Sequence, residues 1–179
     1  MKRKVNLFIA VSLDGFIAKS DGNIDFLSMV ETSNEDYGYA DFLKDIDTVI
    51  LGRKTFEKVL SFEKGVPHKD KSVYVISKSR KENVEHAIFK NDVVSLIKEL
   101  QSKEGKDIYC DGGGEIVYEV LRHSLIDRMI ISIIPHVLGE GIRLFRGGRE
   151  EQKIKLKRSI IFPTGLVQLW YDVTNENTE

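Results

Sequence analysis

Three places in the chain put glycine, hydroxyl and cationic residues where an extended run gives way to a polar or helical one. Gly52-Arg53-Lys54-Thr55 follows an apolar stretch. A glycine there lets the backbone approach a ligand. The free N–H groups of a helix start favour an anion, and Arg53 adds a forked donor. The same residues also suit a helix start with surface cations. Ser77-Lys78-Ser79-Arg80 joins two hydroxyls and two cations behind a run rich in Val and Ile, and suits either a phosphate monoester or a polar turn. Asp111-Gly112-Gly113-Gly114-Glu115 is the strongest of the three. Consecutive glycines lose much conformational freedom on folding, and what they permit is close approach of main-chain N–H groups to a pyrophosphate. Val117 stands where a GxGxxG fingerprint needs its last glycine, and the next strand runs to Ile133-Ile134-Pro135 without a ribose-binding acid. No Gly-Lys-Ser/Thr follows either. The common dinucleotide fingerprint and the Walker loop are both disfavoured.

Other reactive residue types carry less. Cys110 is the single cysteine, so no intrachain disulfide forms, which suits a reducing compartment such as the cytoplasm. It ends an apolar run with no histidine near it in sequence, and reads as a core thiol. The four histidines, His68, His86, His123 and His136, show no metal spacing, so no metal is expected. His136 precedes a glycine-containing segment that could approach a bound ligand.

The elements that must position these residues follow from periodicity. Val5 to Ser12 is a nearly continuous apolar strand, suited to mid-sheet, and too short to span a bilayer. Asp14-Gly15 turns the chain into a short return over 16–18. A helix is expected over 34–44 with Ser33 or Asn34 as cap, a strand over 48–51, and a short helix through Phe56, Val59 and Leu60. Strands are expected over 72–77 and 87–89, then a helix capped by Asn91 and running to about 103 on the stripe Val93, Leu96, Ile97 and Leu100. A strand over 106–110 leads through the glycines to a helix over 115–122. The rest is β-rich: a strand over 128–134, an alternating run over 153–162, the turn Pro163-Thr164-Gly165 and a return over 166–173. That order gives an α/β fold with a mostly parallel central sheet and a C-terminal antiparallel hairpin. With 179 residues, 41% of them hydrophobic, one domain over 1–179 is expected. A formal net charge of −1 argues against a nucleic-acid partner, and the cationic run 153–158 reads as the solvated side of a strand. No membrane segment is expected.

Together these segments resemble the dihydrofolate reductase superfamily. The closer resemblance is to the C-terminal reductase domain of bifunctional riboflavin biosynthesis proteins and its stand-alone bacterial relatives. The matching pieces are Ser12-Leu13-Asp14-Gly15-Phe16-Ile17-Ala18, Gly52-Arg53-Lys54-Thr55, Ser77-Lys78, and Asp111-Gly112-Gly113-Gly114-Glu115. Leu125-Ile126-Asp127 and Ile134-Pro135-His136-Val137-Leu138-Gly139-Glu140-Gly141 complete them, in family order over most of the chain. The resemblance implies a dihydrofolate-reductase-like three-layer fold, NADPH as cofactor and a small heterocyclic substrate. It places Ala10 and Ile17 at the nicotinamide, and Gly52, Arg53 and Thr55 at the phosphates. Ser77 and Lys78 fall at the 2′-phosphate, and Gly112, Gly113, Gly114, Glu115 and Ile116 around the pyrophosphate. Aligned on Gly52-Arg53, Asp36 falls where dihydrofolate reductases keep a substrate-binding carboxylate. Asp14 and Glu35 are rivals as proton source, and Asp36 also suits a first-turn helix acid.

The departures bear on substrate. The Leu-Pro-x-Asp-Leu signature is missing, Phe26 stands where many relatives carry tryptophan, and Lys71 replaces the arginine that grips a folate tail. A lysine recognises a carboxylate less well than a planar fork. His68, Lys69 and Lys71 are candidates for a ribosyl phosphate. No His/Cys/Cys deaminase signature is present. The expected activity is that of a pyrimidine reductase of riboflavin biosynthesis. The alternatives are a dihydrofolate or pterin reductase, and a nucleotide-binding module without turnover. The resemblance also implies a homodimer through the C-terminal strands, with Leu169-Trp170-Tyr171 supplying apolar area.

Overall fold

A computed structural model of the chain describes residues 2–62, 65–79, 82–147 and 151–174. β1 (Val5–Ser12) divides its side chains between two layers: Val5, Leu7 and Val11 face one core, while Phe8 packs into the other. Burial on both faces is what requires an apolar run without polar alternation. After β1 come β2 (Phe16–Ala18), a 3-10 helix (Asp25–Val30), α1 (Tyr39–Lys44), β3 (Ile46–Gly52) and α2 (Arg53–Phe62). Next are β4 (Ser72–Ile76), β5 (Ala87–Lys90), α3 (Val93–Gln101), β6 (Asp107–Gly112) and α4 (Gly114–Arg122). β7 (Arg128–Ile134), β8 (Ile142–Arg143), β9 (Ile154–Ile161) and β10 (Val167–Val173) complete the order.

Eight of these strands form one sheet in the order β5-β4-β3-β6-β1-β7-β10-β9. The pairings from β5 through β7 are parallel, and β10 joins β7 and β9 antiparallel. α3 and α4 cover one face through Leu96, Ile97, Leu100, Val117, Val120 and Leu121. Phe42 of α1 and Phe56 of α2 cover the other, over Val49, Leu51, Val73 and Val75. The expected three-layer arrangement, with its antiparallel extension, is therefore present. β2 and β8 pair apart from it as a two-stranded sheet. Arg3, only 5% exposed, bonds Thr48 Oγ1 at 2.6 Å and the Lys106 carbonyl at 2.6 Å and pairs with Asp47. The basic N-terminus thus pins the amino-terminal strand ends.

Two helix starts differ from the sequence expectation. The helix expected from residue 34 begins at Tyr39, because Tyr37 and Gly38 take left-handed φ values of 58° and 78°. Residues 31–36 are all exposed and offer no apolar stripe to pack, so nothing offsets the entropy of winding them. α3 is capped by Asp92, not Asn91: its extended backbone lets the carboxylate accept the Ser95 N–H at 2.6 Å. The 3-10 helix and β8 were not anticipated, since neither carries a periodic signal of useful length.

Candidate active site

Parallel neighbours end on the same side, so the carboxyl ends of β4, β3, β6 and β1 form one rim. Two of the three glycine- and cation-bearing junctions touch there. A methyl placed on Gly113 would lie 3.1 Å from Thr55 Oγ1 and 3.4 Å from Gly52 Cα. One placed on Gly52 would lie 3.1 Å from an Ile116 side-chain carbon. Gly112 and Gly113 adopt φ values of 127° and 92°, open to glycine and strained for other residues. Gly114 has a different reason: a side chain there would meet Ile142 at 2.9 Å and the Arg146 guanidinium at 3.0 Å, with Ile17 at 3.6 Å. Gly113 caps α4 without a side-chain hydrogen bond. The first N–H groups of that helix border a close-packed bend of bare backbone, the form an anion cradle takes.

The remaining expected cofactor contacts fall along the same rim. Arg53 opens α2, its guanidinium paired with Glu57 at 2.9 Å and 39% exposed. Ser77 is 5% exposed just past β4, its N–H bonded to the Lys90 carbonyl at 2.8 Å, and Lys78 is exposed beside it. Arg80 lies outside the described residues. Glu115 pairs with Arg146 at 2.6 Å, and Ile116 is 7% exposed. On β1, Phe8, Ile9 and Ala10 are only partly buried, although the strand is central. Ile17 of β2 is likewise half-buried.

The two acids named as proton sources are otherwise occupied. Asp14 accepts Ser12 Oγ–H at 2.6 Å, and the N–H groups of Leu138 and Gly139 at 3.0 and 2.7 Å. These bonds, that of Ser12 foremost, hold its carboxyl down at about 2. Asp14 is thus an ionised clamp between the β1 turn and the segment after β7. Asp36 accepts the N–H groups of Ala40 and Gly38 at 2.9 Å each, which lower its carboxyl below the usual range. It ties down the start of α1 rather than standing in its first turn. Glu35 accepts the Tyr37 N–H at 2.8 Å.

Lys71 does not offer its charge to a ligand. Its ammonium donates to the carbonyls of Leu43 and Ile46 at 3.1 and 3.2 Å and to Asp70 at 3.0 Å, which uses all three protons. The ring of His136 stacks on Phe26 at 6.1 Å. Burial pushes the Cys110 thiol up to about 12, which leaves it unreactive. Among the described residues no group of three or more His, Cys, Asp or Glu could hold a metal ion. Hollows of about 390 and 480 Å3 lie elsewhere. One runs beside α1 and is lined by Asn6, Tyr37, Asp107, Arg128, Phe162 and Trp170; the other, lined by Ile46, Asp47, Lys71 and Lys106, lies toward the amino-terminal strand ends. Both are away from the glycine junctions, where main-chain donors converge.

Sequence reasoning missed two features. Arg146 comes to the start of α4 through the β2–β8 pairing, for which the sequence holds no signal. Asp111 and Tyr109 meet on β6, where Tyr109 hydroxyl bonds the Asp111 carboxylate. The sequence alone does not reveal that pairing, because β6 shifts register at Asp111 and the plain alternation of a strand is broken there.

Residues 3–168 match the family described as the RibD C-terminal domain. The Bacillus subtilis (strain 168) protein YwjB, itself uncharacterized, is 43% identical over 173 residues, covering 96% of this chain and 98% of that protein. A protein from Shewanella sp. PV-4 named for riboflavin biosynthesis is 30% identical with a TM-score of 0.87, over 98% of this chain and all of that one. The Thermotoga maritima diaminohydroxyphosphoribosylaminopyrimidine deaminase/5-amino-6-(5-phosphoribosylamino)uracil reductase has a TM-score of 0.73 at 18% identity, over 97% of this chain and 57% of that one. Dihydrofolate reductase from Enterococcus faecalis, solved with NADP(H), has a TM-score of 0.65 at 14% identity, over 98% of this chain and all of that one. The last two likenesses bear on the fold alone, and that fold is dihydrofolate-reductase-like. By its family match and its relatives, this chain belongs to the RibD C-terminal domain family.

Proposed function

We propose that the chain is an NADPH-dependent reductase of a small heterocyclic substrate, most like 5-amino-6-(5-phosphoribosylamino)uracil reductase. The observation that carries this reading is the contact of the Gly112–Gly114 bend with the Gly52–Thr55 helix start. The residues fit a dinucleotide: two backbone junctions that a single Cβ would crowd, two nearby guanidinium groups in Arg53 and Arg146, and Ser77 with Lys78 one strand further out. Gly112, Gly113 and Ile116 would hold the pyrophosphate through main-chain N–H groups, with Gly52, Arg53 and Thr55 opposite. Ser77 and Lys78 would select the 2′-phosphate. Ala10 and Ile17 would border the nicotinamide, and Glu115 would hold Arg146 in place. When bound, NADPH supplies a hydride for an electrophilic C=O or C=N carbon. The protein orients the two partners and excludes water.

The committed ammonium of Lys71 favours a pyrimidine over folate, because its three protons are already bonded and do not reach out to a glutamate tail. The same reading takes 1–179 as one reductase domain working in the cytoplasm. It includes a homodimer through the C-terminal strands. Leu169, Trp170 and Tyr171 of β10, half-buried, and the exposed Ile154, Leu156 and Ile161 of β9 would supply its apolar surface.

Titration with NADPH and with NADH, followed by absorbance loss on adding the phosphoribosylaminouracil or dihydrofolate, tests the proposal. Preference for NADPH and turnover of the pyrimidine are expected. Turnover of dihydrofolate alone would move the assignment to folate chemistry. Tight cofactor binding without turnover of either would make the chain a nucleotide-binding module.

A further inference from the structure

Reduction of a C=O or C=N needs a proton as well as a hydride, and Asp14 and Asp36 are held ionised by hydrogen-bond donors. A different group stands beside the glycine bend. Asp111 is the residue immediately before Gly112, and its carboxylate is 21% exposed. Its carboxylate meets the hydroxyl of Tyr109, which packs in the same core as Phe8 of β1. Tyr109 hydroxyl bonds one oxygen of Asp111 and also lies 3.1 Å from the Phe8 carbonyl. Burial first, and then the Asp111 charge, raise the Tyr109 phenol well above its usual range, so it remains a neutral donor.

The other Asp111 oxygen lies 3.9 Å from His68 Nε2. That separation is too long for a hydrogen bond, so Asp111 leaves the hydrogen-bonding position of Nε2 open to a ligand. The His68 ring is 13% exposed and meets Tyr109 edge-on at 6.3 Å. Its loop is anchored by Val66, 1% exposed in the core, and its backbone takes a left-handed φ of 53°. Such backbone is uncommon for a side-chain-bearing residue and collects at working sites. The charged and titratable neighbours are Asp111 and Tyr109 of β6, Tyr39 of α1 near Tyr109, and Lys69 and Asp70 along the loop. Phe8 and Ala10, both half-buried, share one face of β1.

We infer that His68, beside the Asp111 carboxylate, is the proton donor of the site; this rests on the reductase reading above. Hydride addition to the carbon of a C=O or C=N sends the π pair onto the oxygen or nitrogen. The Nε2 proton transfers to that atom, an alcohol or amine leaves with NADP+, and the neutral imidazole regains a proton from water. Tyr109 is a positioning residue, since it acts through Asp111.

The test uses the full chain, NADPH and 5-amino-6-(5-phosphoribosylamino)uracil, with His68→Gln and Asp111→Asn variants. His68→Gln should lower kcat by about 100-fold or more, abolish the loss of rate at alkaline pH that a general acid imposes, and leave the NADPH Kd unchanged. A second readout needs no turnover. In NMR spectra of the histidine rings, with His68 identified by the signals missing from His68→Gln, the His68 ring resonances should move in Asp111→Asn, because the carboxylate 3.9 Å away has been replaced. Unchanged kcat in His68→Gln, or His68 resonances indifferent to Asp111→Asn, overturns the inference. If the unaltered chain consumes no NADPH while the resonances do respond, the pair stands, and it is the reductase reading, with the donor role built on it, that is overturned.

Discussion

Asp14 shows how a residue that could do chemistry can be committed to structure. Its three donors stabilise the charged form, so its folded pKa of about 2 lies below the ordinary 3.8. The stability it contributes is therefore present above 3.8 and disappears as pH falls through about 2. Asp14→Ala should melt at a lower temperature than the unaltered chain near neutrality, and the gap should narrow on acidification across that window. Thermal denaturation at a series of pH values reads this directly; a constant gap would mean the clamp does not depend on the charge. Arg53 is the contrasting case. Its pairing with Glu57 leaves it 39% exposed and free to exchange a carboxylate for a phosphate. Arg53→Ala should weaken NADPH binding about tenfold, about 1.4 kcal/mol, the low end for a charge-assisted hydrogen bond with a competing partner. Equal affinity by fluorescence titration would remove Arg53 from the phosphate site.

Among the elements, the bend between β6 and α4 is under the tightest restraint. Gly113 combines a φ of 92° with a 3.1 Å approach to Thr55, so any Cβ must strain the backbone and push the α2 start away. Gly113→Ala should cost about 1–3 kcal/mol in stability and weaken NADPH binding together with it. Gly147→Ala is the control, since nothing lies within 4 Å of a methyl there, and it should change neither. Calorimetric melting and cofactor titration of the two variants, side by side, check this. A Gly113→Ala protein as stable and as tight-binding as the control would show that the bend is only a connection.

For the whole molecule, the unprotected feature is the outer strand. β9 closes one edge of the sheet with Ile154, Leu156 and Ile161 at 44%, 52% and 80% exposure, interleaved with Lys155, Lys157 and Arg158. Charges of that kind discourage indiscriminate edge pairing while leaving an apolar strip for a specific partner. Sedimentation velocity should show a dimer, and the double variant Leu156→Lys/Ile161→Lys should sediment as a monomer with its fold intact. A monomeric unaltered chain would refute the dimer.

Strand identity and order were legible in the chain itself. β1 and β7 have the bounds their apolar runs imply, because a strand buried on both faces has almost no choice of residue type. The glycine junctions were legible too, since few other roles account for three glycines between a strand and a helix. What sequence could not assign was the company each side chain keeps. Asp36 and Lys71 look available on paper, yet in space Asp36 accepts from the N–H groups of Gly38 and Ala40 and Lys71 donates to the carbonyls of Leu43 and Ile46. His68 and Asp111, 43 positions apart, become neighbours only because a loop anchored by Val66 folds over β6. Periodicity reports which way a residue faces along its own element. Which distant residue waits there depends on strand order and loop path, and those are fixed when the layers close around a shared core.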